Sequence, residues 1–113
     1  MKRDMDLVRK ILIDFEASGE FQTSDPTEAG HVAIMLDAGL VVAATGLDGK
    51  GKIRNAAILR LTWSGHDFID NARKPEIWEK IKESFKDRII SASFDVIMAL
   101  LVETMKTTLR IPL

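Results

Sequence analysis

The chain has no cysteine among its 113 residues. That excludes disulfides, thiol nucleophiles and cysteine-ligated zinc or iron–sulfur centres, and it fits a reducing compartment. Histidine is scarce too, with only His31 and His66. A zinc site needs three or four ligands on one face. The nearest approach is His66 with Asp70, an i, i+4 pair that serves equally well as an ordinary helix-surface pair. No metal and no cofactor is therefore expected. A phosphate-cradling loop is missing, because the glycines from Gly46 to Gly51 sit between two strands and not between a strand and a helix. Ser64, Ser84, Ser91 and Ser93 stand in no motif that would activate a nucleophile. These gaps argue against an enzyme. No apolar run is long enough to span a bilayer: the longest, from Ile89 to Val102, contains Asp95. Met1 to Asp6 alternates in charge and is no signal peptide. The expectation is a cytoplasmic protein with no membrane association. Repeats and low-complexity segments are also lacking.

What remains is 46% hydrophobic and 29% charged, the balance of one globular domain. That length buries a core without metal or disulfides. The net charge of −1 is unevenly spread. Residues 1–40 hold four basic and eight acidic side chains, residues 41–74 six and three, and residues 75–113 six of each. Attraction for a polyanion is thus concentrated in the middle third.

The periodicities predict a helix from about Asp4 to Ala17, with Val8, Ile11, Leu12 and Phe15 in one stripe and Ser18-Gly19 as its stop. Asp4 and Asp6 suit its positive start. Phe21 follows in a short extended link, a candidate third strand. A second helix begins at Asp25-Pro26, with Asp25 as N-cap and Glu28 as its capping-box partner, and stops at Gly39. Ala29, Val32 and Leu36 are its expected buried residues, with Met35 at the edge and His31 marginal. Thr27, Gly30, Ile34 and Asp37 are expected to point outward. Strands Leu40 to Thr45 and Ile53 to Leu61 flank the Asp48-Gly49 turn. A third helix starts after Thr62 and buries Gly65, Phe68, Ile69 and Ala72. Lys74-Pro75 breaks it and opens a fourth helix to about Lys86. A fifth is predicted from Ile89 to Leu109.

A helix followed by a ribbon with a basic tip is the core of a winged-helix domain. The predicted architecture is α+β: a winged-helix-like domain over residues 1–74, with three helices and a β-hairpin wing, and a two-helix extension over residues 75–113. A standard helix-turn-helix places a whole helix between Gly19 and Asp25, so either that helix is shortened to a turn or the arrangement is not the standard one.

The opening Met1 to Leu12, His31-Val32 with Asp37 to Val41, and Arg60 to Arg73 followed by Ile77-Trp78 together resemble domain-of-unknown-function family 2513 of bacteria and phages. The resemblance covers nearly the whole chain. It implies a winged-helix-like fold, a bacterial or prophage origin and a cytoplasmic location. It assigns no activity and no site residues. The segment Gly19 to Thr27 departs from it by lacking a longer charged lead-in.

Lys50, Lys52 and Arg54 on the wing, with Arg60 at its base, are the candidate nucleic-acid contacts. Each cation set against a phosphate adds salt-dependent affinity. The plainer reading is that they keep an exposed hairpin soluble. The second helix offers none of the Arg, Lys, Asn or Gln side chains that read base edges. Any binding to double-stranded DNA should then have little sequence preference, with Lys2, Arg3, Arg9 and Lys10 of the first helix adding affinity. Helical period places Trp63 and Trp78 in the core and not against bases. Ile90, Phe94, Ile97 and Leu101 stripe a fifth helix that is apolar on several sides, which suggests a homodimer interface, the alternative being a central core helix packed between the first and fourth helices. The functional expectation is a regulator-like DNA-binding protein. The alternative is a protein-interaction adaptor of the same fold, using Ile34 and the surplus face of the fifth helix.

Overall fold

A computed structural model describes residues 3–85 and 93–108 as a mixed α+β chain. The elements are α1 (Met5–Ser18), β1 (Phe21–Thr23), α2 (Pro26–Asp37), β2 (Val41–Leu47), β3 (Ile53–Leu61), α3 (Trp63–Ala72), α4 (Pro75–Phe85) and α5 (Phe94–Thr108). The expected start of the last helix at Ile89, with Ile90, lies outside the described residues.

Each helix end has a chemical cause. The Asp4 carboxylate accepts from the Leu7 N–H at 3.2 Å, and Gly19 closes α1 at φ 77°, its N–H donating to Phe15 O at 2.7 Å. Asp25 accepts from the Thr27 and Glu28 amides at 2.8 and 3.2 Å. The capping box itself is not made. Glu28 instead accepts from the Thr23 hydroxyl at 2.6 Å, which ties α2 back to β1. At the far end the Gly39 N–H donates to Leu36 O and the Leu40 N–H to Met35 O, a Schellman stop that aims the chain into β2.

The three strands form one antiparallel sheet in the order β1-β3-β2. Phe21 is therefore in a real third strand. Two residues, Ser24 and Asp25, separate β1 from α2, so no helix stands between them. Helix α2 lies against β2 and β3 on one side and α1 on the other. Ala29, His31, Val32 and Met35 are buried, whereas Leu36 is 37% exposed and Ile34 is partly buried against the core. This corrects the expected face. Contact with both a sheet and a helix widens the buried arc and turns it toward Met35. His31 enters because both ring nitrogens find partners: Nδ1 lies 2.7 Å from Thr27 O, and Nε2 accepts from the Asp4 N–H at 2.8 Å. A buried polar ring satisfied this way joins α1 to α2 without an orphaned atom.

Helices α4 and α5 share the core of the rest. Ile77, Trp78, Ile81, Phe94, Ile97 and Leu101 join Val8, Leu12, Met35, Ile58 and Phe68 in one buried cluster. Phe68 meets Trp78 and Phe94 edge-on, with centroids 6.4 and 5.8 Å apart. Asp6 does more than suit a helix start. Its carboxylate accepts from the Trp78 indole N–H at 2.6 Å and from Lys82 Nζ at 3.1 Å, clamping α1 to α4. Burial alone would raise the Asp6 pKa, but the Trp78 and Lys82 hydrogen bonds, with the Lys82 and Arg9 charges, bring it below the usual carboxylate value. A carboxylate depressed in the folded state stabilises the fold above its unfolded pKa of about 3.9, and the contribution is lost as pH falls through the folded value. Asp6→Asn should flatten the acid limb of stability. Urea unfolding at about pH 6 and about pH 3 checks this: wild type should lose more stability than the variant between the two, and equal losses would contradict it.

Candidate nucleic-acid interface

The β2–β3 tip is built around Asp48. One carboxylate oxygen accepts from the Lys50 N–H at 2.8 Å and the Lys52 N–H at 3.0 Å. The Asp48 N–H donates to Lys52 O at 2.7 Å, and the Gly51 N–H to Asp48 O at 3.0 Å. Gly51 takes φ 78°, which a side chain would resist. The backbone bonds from Lys52 and Lys50, with the Arg54 charge nearby, hold the Asp48 carboxyl below its usual range. The tip is thus a braced loop that exposes Lys50 and Lys52, with Arg54 next along the strand.

Strict alternation along β3 would put Arg54, Ala56, Ile58 and Arg60 on one face. Ala56 and Ile58 are buried, so both arginines would be driven into the core. Two register shifts prevent this. Leu47 pairs with Ile53 while Gly46 pairs with Asn55, and Ala43 pairs with Ile58 while Val42 pairs with Arg60. Each shift adds one residue on β3, and each extra residue reverses the facing of those beyond it. Ile53 and Leu61 consequently join the core side, and Arg54 and Arg60 are exposed. None of Lys50, Lys52, Arg54 and Arg60 takes part in a salt bridge among the described residues.

The basic residues of the first helix are engaged elsewhere. Arg9 Nε and Nη2 donate to Ala72 O and Arg73 O at 2.6 and 2.9 Å, capping the end of α3, and its guanidinium lies 5.8 Å from the Trp78 ring. Arg3 lies 5.4 Å from the Phe94 ring. Lys10 pairs with Asp14 at 3.1 Å. Lys2 lies outside the described residues. The expected contribution of this helix to polyanion affinity is therefore withdrawn for Arg3 and Arg9, whose reach is spent on the fold.

The two tryptophans part company. Trp78 is buried as expected, but Trp63 is 87% exposed, which corrects its placement in the core. It is the first residue of α3, ahead of the face that Gly65, Phe68, Ile69 and Ala72 bury. With Arg60, Leu61 and His66 it lines an open depression of about 370 Å³. A larger trough of about 650 Å³ over the sheet is lined by uncharged residues such as Gln22, Thr45 and Asn55, so it offers phosphate no cation.

Phe94, Ile97 and Leu101 are interior residues, and Ile90 lies outside the described residues. A dimer built on the first three would have to open the core. Val96, 50% exposed, is the large apolar residue that α5 presents among the residues whose burial is described. Asp70 is paired with Arg73 at 3.2 Å, and no group of three or more histidine or acidic residues among the described residues is placed to hold a metal. No helix among them is long and apolar enough to cross a membrane.

A family model described as "Hypothetical protein (DUF2513)" matches residues 2–91. An "Uncharacterized protein" of Haemophilus influenzae is 31% identical over 108 residues, spanning 86% of this chain and 89% of the relative. No solved structure matches the chain. Both matches agree with the resemblance carried by the opening segment and by Arg60 to Arg73, and the chain belongs to domain-of-unknown-function family 2513.

Proposed function

We propose that this chain is a non-enzymatic, winged-helix-like module that grips the backbone of double-stranded DNA with its ribbon. The observation that carries the reading is the pair of bulges on β3. They turn Arg54 and Arg60 out of a row that would otherwise bury them, and none of the four cations along the hairpin is in a salt bridge among the described residues, although the Arg54 charge is felt by Asp48. Measured on the partner strand, Arg54 and Arg60 span between four and five residues, roughly 15 Å, or about four base steps of duplex. Helix α2 presents Thr27, Leu36 and Asp37 to solvent, which suits neither base edges nor phosphates. Affinity should thus be electrostatic and almost indifferent to sequence.

Four phosphate contacts give a slope of log K against log salt of about −3.6, since each contributes about −0.9. Fluorescence anisotropy of a labelled duplex across a salt series tests this. Lys50→Glu with Lys52→Glu should lower affinity by at least 10-fold at low salt and make the slope shallower by about two. No binding, or binding unchanged in the variant, contradicts the proposal. A protein-interaction adaptor is the second reading, favoured by exposed Leu36 on a helix without cations. It gains if DNA binding fails while Leu36→Asp abolishes capture of a defined protein partner.

A further inference from the structure

The depression beside Trp63 has a chemistry that the ribbon lacks. Tryptophan rarely stays in water, because its large apolar body makes burial favourable. Trp63 is nevertheless 87% exposed, and no ring or cation of the described residues stacks on it. Arg60, Leu61 and His66 line the depression with Trp63, and no acidic residue is among the lining residues. Arg60 has one long contact, from Nη1 to Leu61 O at 3.5 Å, so its other donors are available. The first turn of α3 contains no acidic residue, and β3 contains none along its length. The nearest acid in sequence, Asp67, lines a separate depression with Phe94 and Met98.

A bare aromatic face beside a free guanidinium is suited to a base and its phosphate. A protein hot spot also favours tryptophan and arginine. Two facts favour the nucleotide: no acidic residue lines the depression, Asp67 standing one turn further along α3, and Arg60 is continuous with the ribbon cations. The geometry points to Trp63 as a stacking platform for an unpaired base, with Arg60 on the adjoining phosphate. The preferred ligand is then DNA with a single-stranded tail, a frayed end or a flipped base, rather than an intact duplex. This rests on the ribbon reading for the remaining backbone contacts. A base held inside a duplex has its faces covered by its neighbours and cannot offer one to Trp63.

The chain contains two tryptophans, and the other is buried and hydrogen-bonded to Asp6, so quenching of the exposed one reports this site. Three ligands are compared at low salt: a blunt duplex, the same duplex with a short dT tail, and dT alone. The tailed duplex and dT should quench Trp63 emission, and the tail should raise affinity at least 5-fold. Trp63→Ala should remove that gain, a loss of 5- to 100-fold by base–aromatic stacking. It should leave blunt-duplex binding within about 2-fold and the melting curve unchanged, and Trp63→Phe should keep part of the gain. If the blunt duplex binds and depends on Lys50 and Lys52, yet the tail adds nothing, the stacking inference is overturned and the ribbon reading stands. Equal weakening of blunt and tailed ligands by Trp63→Ala overturns it too. If no DNA binds, both fall.

Discussion

Trp78→Ala is expected to lower the unfolding free energy by about 3–5 kcal/mol, the usual cost of emptying a large aromatic site in a core. Domains of this size have about 5–15 kcal/mol in total, so the variant should sit close to unfolding at room temperature. Trp78 is 1% exposed, packs edge-on against Phe68, lies beneath Arg9 and donates to Asp6. These contacts tie α4 to α1 and α3, so the loss should be global and not a fraying of α4 alone. Trp78→Phe separates the two parts of the effect. It keeps most of the ring but deletes the indole donor, which should cost about 1–3 kcal/mol by packing loss and an unpaired Asp6 oxygen. Urea unfolding followed by circular dichroism reads both. A single cooperative transition shifted to lower urea is expected. A loss under about 1 kcal/mol for Trp78→Ala would mean that residues 75–113 are an appendage with little part in the core.

Gly65→Ala sets two effects against each other. Alanine is better than glycine inside a helix by about 1 kcal/mol, so propensity alone predicts stabilisation. A Cβ at Gly65, however, would stand 2.0 Å from Leu40 O and 3.0 Å from Leu40 C, both backbone atoms of the α2–β2 corner. Thr62 fixes that corner, its N–H donating to Leu40 O at 3.0 Å and its hydroxyl to Gly39 O. Neither side can yield as a flexible side chain would. Overpacking of this kind costs about 1–3 kcal/mol and sometimes more, and a backbone clash belongs at the upper end. The expected net loss is about 2 kcal/mol, or roughly 8 °C in Tm. Thermal unfolding checks it, and a rise in Tm would show that α3 and the corner are not in contact.

Local chemistry made much of this fold legible. Asp25-Pro26, Gly39, Asp48-Gly49 and Thr62 each act within a few residues, and each stands where its local preference puts it. The stripes of α1 and α3 were equally readable, because one period dominates each. The misplacements share a different cause. The β3 bulges depend on pairing with β2, which no local pattern of IRNAAILRL contains. Arg9 is claimed by carbonyls 63 and 64 residues away, and Asp6 by an indole 72 away. Helical period treats Trp63 and Trp78 alike, yet Trp63 opens its helix and Trp78 lies mid-stripe. A face shared with both sheet and helix buried Met35 and His31 and exposed Leu36. Among the site residues, the cations of the ribbon were visible as composition, but their standing outside salt bridges is a property of the fold.

The most direct test of the account is a ¹H–¹⁵N amide map of the protein titrated with a short blunt duplex at low salt. Shifts should cluster at residues 48–54 and around Arg60 and fade as salt rises, with α2 nearly silent. Shifts concentrated at Thr27, Leu36 and Asp37, or none at millimolar duplex, would contradict a ribbon-led grip on the DNA backbone.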